Sequence, residues 1–527
     1  MTYQIISIFN RSVILERINA SRFETEDECT VCVNGKEYVR TNKNVISING
    51  LEPSHRYSIS LYNADGSHAG DTKVTTGEES FLLNVRSFGA AGDGAKNDTN
   101  AIQAAIMSCP INGTVYVPEG TYFTGPLFLK SHMTLWIDKG ATLLGDTDRT
   151  HYPVLPGMTR DLYDNDKEYN LSSWEGNPLD SFASLITAID AEDISIIGEG
   201  IIDGNAGNSD WWKDAKIKRT AWRPKLLELV RCKKVRVQGI TLRNSACWCV
   251  HPYYSENLGF YNLTIQNPSD SPNTDGFDPE SCEDVQLLGT TISVGDDCIA
   301  LKSGKLYMAK YHHRETKNII IRNCRLEKGH GSVTVGSEIA GGVKGLSVSN
   351  CVFAGTDRGV RIKTRRGRGE KSVLTDLVFE NISMRDVHMP LTVNMFYFCD
   401  PDGHSDYVQS QELQPVDYRT PHIGTIKLKD IECAGVDASL VCAYGLPESP
   451  IEKICLENVS AEFLEAAKRI PQRPIMMDGF PELTGKSLYI RNTETLEIKN
   501  VIIKNSADAE ITAQGVSAKI IEGLELD

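Results

Sequence analysis

Long apolar runs are missing from this chain of 527 residues: no stretch is long enough to cross a bilayer as a helix. Basic charge is also in short supply. Lysine and arginine number 55 against 70 aspartates and glutamates, and the formal net charge of −15 argues against nucleic acid or an anionic membrane as partner. An acidic polysaccharide could then bind only at a local basic patch. Metal-binding cysteine patterns are scarce despite 14 cysteines. Only Cys29-Thr-Val-Cys32 and Cys247-Trp-Cys249 are close pairs, and neither is followed by a second pair or a histidine at ligand spacing. No metal and no cofactor is expected. Cys232, Cys282, Cys324, Cys351, Cys433 and Cys455 fall in or beside apolar strands and read as small core hydrophobes. The first twenty residues alternate, carry Arg11, Glu16 and Arg17, and hold no continuous apolar segment of the signal-peptide kind, so a reducing, cytoplasmic location is expected.

What the chain has in quantity is short strands and turns. Residues 1–78 show alternating runs such as Gln4–Ile8, Thr30–Val33 and Tyr57–Leu61, with turn signals at Asn34-Gly35 and Asp65-Gly66. The stretch from Leu51 to Gly66 is similar to the later strands of fibronectin type III modules, in which a tyrosine packs a sandwich corner. A small β-sandwich over 1–78, acting as a spacer, is expected, followed by a second domain over 79–527. That second domain opens with a short helix: Asp98 suits an N-cap, and Ile102, Ala105 and Ile106 share one face that could plug the end of a solenoid.

From Glu192 onward one pattern recurs. Glu192-Asp-Ile-Ser-Ile196, Glu256-Asn-Leu-Gly-Phe260, Glu283-Asp-Val-Gln-Leu287 and Lys317-Asn-Ile-Ile-Ile321 are copies, and Asn262, Asn323, Asn350 and Asn381 each precede a second apolar run. Core copies are spaced by roughly 23 to 34 residues, the range of solenoid repeats. Strands of four or five residues without crossover helices specify an all-β parallel β-helix. Three excursions break the rhythm, near 151–180, 204–224 and 399–421, and are expected to wall a cleft.

Four clusters then fall at the same rhythm: Asn273-Thr-Asp275, Gly295-Asp296-Asp297, Gly329-His330-Gly331 and Arg361-Ile-Lys363. Stacked coils bring equivalent positions to about 4.8 Å, so acids, imidazole and cations would converge. Arg361 and Lys363, two apart on a strand, point the same way and suit the carboxylate of an acidic sugar. Crowded carboxylates repel, so at least one is expected to hold its proton near neutrality.

These four clusters, in this order, resemble glycoside hydrolase family 28, the polygalacturonases, over about Leu83 to Asn505. The resemblance implies a right-handed parallel β-helix of the pectinase type and hydrolysis of α-1,4-galacturonosidic bonds with inversion. It implies Asp296 as general acid, Asp275 and Asp297 as the pair that positions and deprotonates water, and His330 as the residue that tunes their ionisation or hydrogen-bonds the sugar. Arg361 and Lys363 would grip substrate, with Asn273, Lys302, Tyr397 and Arg366 as further candidate contacts. The excursions favour cleavage from a chain end. Competing readings are a pectate lyase on the same fold, a rhamnogalacturonan or xylogalacturonan hydrolase, and a non-catalytic polysaccharide-binding β-helix. The oligomeric state is not legible.

Overall fold

A computed structural model of the chain describes residues 2–160, 168–508 and 510–527. Part of the first expected excursion, residues 161–167, lies outside the described residues. The expected parallel β-helix is present: 28 strands form one continuous sheet in which rung pairs with rung. The first strands of successive coils align Val235, Leu258, Val285, Ile319, Leu346, Leu377, Ile426, Ile454 and Leu496 into a column. Every member of the column is buried. Alternation explains it: in Glu283–Leu288 the residues Val285 and Leu287 turn inward while Glu283, Asp284 and Gln286 turn out.

The asparagines hold the corner after each first strand. Asn262, Asn323, Asn350 and Asn381 have φ between 50° and 54°, a left-handed conformation that asparagine tolerates better than most residues. Asn381 Nδ2 donates to Asn350 Oδ1 at 2.8 Å from coil to coil, whereas Asn323 Nδ2 donates at 2.8 Å to Glu16 of the N-terminal sheet. All fourteen cysteines are free, and twelve are buried.

The opening helix, Thr99–Ser108, buries Ile102, Ala105 and Ile106 against the first coils as expected. Asp98 departs from its expected cap. It precedes the helix but makes no side-chain capping bond; its carboxylate instead accepts the N–H groups of Ala91 and Gly92 at 2.7 and 2.9 Å. The incoming loop offers two donors together, and this outcompetes a single helical N–H.

At the N-terminus, strands Thr2–Ile8, Val13–Ile18 and Val45–Ile48 form one antiparallel sheet, and Glu24–Val33, Lys36–Lys43, Arg56–Tyr62 and His68–Thr75 form another. They share a core that includes Val13, Leu15, Val31, Ile48, Ile59 and Leu61. Tyr57 Oη accepts the Glu52 N–H at 2.8 Å. The first sheet lies on the solenoid corner through Phe9, Ile14 and Val45 against Ile197, Tyr261 and Leu288, and through a Glu16–Arg322 ion pair at 2.6 Å.

Candidate active site

The third strand of each coil positions the chemistry. Phe277 bridges Ile299, which pairs with Val333, which pairs with Val360. Counting back two residues along each coil makes Asp275, Asp297, Gly331 and Arg358 equivalent. Counting back three puts Asp296, His330 and Asp357 in one line. Backbone bonds fix this register: Gly276 N–H donates to Asp297 O at 3.0 Å, and His330 N–H to Asp296 O at 3.1 Å. A cavity of about 250 Å³ therefore collects Asp275, Asp296, Asp297, His330, Arg361, Lys363, Lys302, Asn273 and Tyr397. A larger groove of about 810 Å³, between Ile5–Phe9 and the outer strands near Lys234 and Arg236, contains none of them.

The glycines beside His330 answer a steric demand between neighbouring coils. A Cβ on Gly331 would lie 2.7 Å from Asp297 Oδ1, and one on Gly329, where φ is +88°, would collide with the Asp296 carbonyl oxygen. They let the coils stack closely enough for the acids to meet.

Asp297 is buried, and burial alone would raise its pKa; Lys363 and Arg361 outweigh that and hold it far below the usual carboxylate range. Lys363 Nζ is 2.9 Å from Asp297 Oδ2 and Arg361 Nη1 is 3.1 Å from Oδ1. The two cations point the same way, with Ile362 turned into the core. Both are paired with Asp297, so the carboxylate of an acidic sugar would share them with it. Asp275 moves oppositely. Burial first and Asp296 second push its pKa up to about 7, so this is a carboxyl that holds its proton near neutrality. Asp296 is half-buried, and its Oδ1 accepts the Asp297 N–H at 2.9 Å. His330 is exposed and donates Nδ1–H to Asp357 Oδ2 at 2.8 Å, which together with Asp296 and Asp297 raises its pKa against the opposing effect of burial.

Lys302 is buried among carboxylates, 3.4 Å from Asp278 and Glu338 and 3.7 Å from Asp275. Burial works against its charge, yet these partners keep its pKa well above the usual lysine value. Its Nζ also sits 4.3 Å over the Trp248 ring, the inner end of a stack formed with Trp174 and Trp222. Asn273 accepts a 2.7 Å bond from Arg223, and Tyr397 lies 5.5 Å from Lys363 Nζ. His251 is not in the cavity; it is buried between Glu228 and Glu280 at 3.5 and 3.0 Å.

Arg366 is a correction. It does not line the cavity but is almost wholly buried, bound to Glu448 at 2.6 Å and to the Ser410 carbonyl at 2.7 Å. Its neighbours Arg365 and Arg368 both bind Asp400. The run of arginines thus pins the excursion near 399–421, because buried guanidinium forks need several acceptors.

The excursions do reach the cavity. Glu175 and Lys216, from the first two, form a 2.9 Å ion pair at its edge, and Cys399 comes from the third. Met476 belongs to a fourth excursion, between Phe463 and Lys486, that the sequence reading missed, as it missed Asp278 and Glu338. Aligning the coils offers a signal for Glu338: its carbonyl accepts the Ser303 N–H at 2.6 Å, beside Lys302 on the preceding coil.

One oxygen each from Asp275, Asp296 and Asp297 lies within 4.8 Å of the others, a spacing that a cation could bridge. Both Asp297 oxygens already face a cation of the protein, which weakens such a site.

The sequence profile of glycosyl hydrolases family 28 matches residues 129–436. The chain belongs to this family. It is 31% identical over 395 residues to a probable polygalacturonase of Vitis vinifera, covering 73% of this chain and 75% of that one. With an exo-poly-alpha-D-galacturonosidase of Dickeya chrysanthemi it shares 28% over 415 residues, 69% and 66% of the two chains. Among solved structures, a family 28 exopolygalacturonase of Yersinia enterocolitica superposes with a TM-score of 0.71 over 98% of both chains at 21% identity, a likeness of fold. This family 28 glycoside hydrolase therefore carries its four motif clusters in one cavity, on the coils that the family profile spans.

Proposed function

We propose that this glycoside hydrolase cleaves α-1,4-galacturonosidic bonds of polygalacturonate and its oligomers, removing units from a chain end with inversion. The observation that carries the reading is the cavity itself, in which Asp275, Asp296 and Asp297 meet Lys302, Arg361 and Lys363, a charge pattern fitted to hydrolysing an anionic sugar. Asp296 serves as the acid that protonates the leaving oxygen, and Asp275 with Asp297 positions and deprotonates water. His330 tunes the acids. Lys302, Arg361, Lys363, Asn273 and Tyr397 contact the sugar, the cations exchanging part of their pairing with Asp275 and Asp297 for the galacturonate carboxylate. The end-acting mode draws support from the walls and the size. About 250 Å³ is small beside the roughly 300–1,000 Å³ of pockets that enclose drug-sized ligands, so a chain terminus suits it better than a long through-running chain. Residues 1–78 are proposed to be a fibronectin type III-like spacer; their two antiparallel sheets and the Tyr57–Glu52 bond agree with that.

One observation favours a second assignment of roles. Asp275, with its pKa pushed up to about 7, is itself protonated at mildly acid pH and could supply the proton. Aryl galacturonides separate the two readings, because a good leaving group needs no acid. Under the first reading, Asp296→Asn retains aryl-galacturonide turnover and Asp275→Asn does not; the reverse pattern transfers the role.

The time course of products from tetragalacturonate tests the function. Product of one size appearing from the start, with the anomer opposite to the bond cleaved seen first by NMR, is expected. A spread of sizes would refute end action, and an unsaturated ultraviolet-absorbing product would refute hydrolysis.

A further inference from the structure

The line that begins at Asp296 and His330 continues along the solenoid. Val360 pairs with Leu391, which makes His388 the next equivalent of Asp357; Leu391 pairs with Val441, which makes Ala438 the equivalent on the following coil, with Asp437 directly before it. Carboxylates and imidazoles thus alternate down one corner, Asp296, His330, Asp357 and His388, and Asp437 closes the run from one residue out of register. Two contacts are short and aligned alike. His330 Nδ1 is 2.8 Å from Asp357 Oδ2, and His388 Nδ1 is 2.8 Å from Asp437 Oδ2. The line sinks into the protein as it runs: the side chains of Asp357 and His388 are half-exposed, while Asp437 is 1% exposed.

We propose that Asp357 is a positioning residue for the reaction. It takes the Nδ1–H of His330, so that the imidazole presents Nε2 to the cavity beside Asp296, and the His388–Asp437 pair anchors the ladder from behind. This rests on the reading of Asp296, Asp275 and Asp297 as the reacting acids.

The chemistry follows from the inventory of an imidazole. A ring whose Nδ1–H is committed to a carboxylate keeps Nε2 free to accept when neutral and to donate when charged. The tautomer is therefore chosen outside the cavity. Asp357 also favours the charged ring. Burial works against ionised Asp357, but His330, Arg358 and His388 outweigh it and hold its pKa below the ordinary value, so it is a carboxylate across the neutral range. His388 is raised in turn, chiefly by its bond to Asp437. The charged groups around His330 are Asp296 and Asp297 on the coil before it, Asp357 and Arg358 on the coil after, and Arg361 on the strand that follows Arg358. An imidazolium there lowers the cost of the crowded anions. It loses that effect when it deprotonates, so activity falls on the alkaline side as His330 gives up its proton.

Two readouts test the ladder in the full-length protein. The first is the pH dependence of kcat/KM on oligogalacturonide for wild type, Asp357→Asn, Asp357→Glu and His388→Asn. The second is the titration of His330 by NMR of histidine-labelled protein, its signal assigned by loss in His330→Gln. In Asp357→Asn the alkaline limb and the His330 titration both move to lower pH, and kcat at neutral pH falls with KM little changed. Asp357→Glu recovers part of both, and His388→Asn shifts both in the same direction by less. An alkaline limb and titration that stay in place overturn the proposal. So does a uniform loss of rate without change in the profile, which would mark a structural role. If the wild type releases no sugar, the proposed function has failed while the NMR titration still decides whether Asp357 governs His330.

Discussion

Replacing Asp275 with asparagine is expected to stabilise the protein at alkaline pH while abolishing its activity. Asp275 is 4% exposed, lies against Asp296, and is only partly compensated by Lys302 at 3.7 Å. Its pKa in the folded chain is about 7 against an ordinary 3.8. A group raised on folding stabilises fully below its unfolded pKa and loses that contribution as pH rises through the folded value. Between the two values the native state keeps a proton that the unfolded chain releases. The difference is about three units, and at about 1.4 kcal/mol each the ionised form costs about 4 kcal/mol above neutrality. Part of this is shared with Asp278, buried alongside with its own pKa raised, so the recovery in Asp275→Asn has about 4 kcal/mol as its ceiling. The assay is thermal melting of both proteins at about pH 4 and about pH 8.5, the two ends of the window between the unfolded and folded values. The variant should match wild type at the lower pH and melt several degrees higher at the upper one. A difference that does not grow with pH would refute the claim that buried, mutually repelling acids form this site.

Other expectations follow from the same contacts. Arg361→Ala should raise KM for charged oligomers and, by removing a cation from Asp297, move the acid limb of the rate profile to higher pH; unchanged affinity and profile would take Arg361 out of the site. Arg366→Ala should destabilise by about 3–5 kcal/mol, read by melting, because it strands buried Glu448. Ile319→Ala, in the middle of the aliphatic column, should cost about 2–5 kcal/mol without altering KM in the protein that remains folded.

Much of the fold could be read before any coordinates. The repeat Glu-Asp-Val-Gln-Leu carries the inward column in its alternation, and the corner asparagines announce a backbone conformation that few other residues accept. Asp275, Asp296, Asp297, His330, Arg361 and Lys363 were legible for the same reason, since each sits a fixed distance from a recognisable strand. The rest depended on lengths that no repeat sets. Arg366 follows Lys363 closely in sequence, yet its loop turns it into the protein, where Glu448 and four carbonyls from the excursion receive it. Met476 arrives from an excursion whose sequence has no strand rhythm. Asp98 looked like a cap because its spacing to the helix is right; two nearby N–H groups competed for it and won.

The most direct test of the whole account is the release of reducing ends from polygalacturonate by Asp296→Asn, with oligogalacturonide affinity measured on the same sample. Hydrolysis should fall by about 10³-fold or more while affinity changes little, as expected when an acid that acts only in the transition state is removed. Turnover near that of the wild type would contradict it.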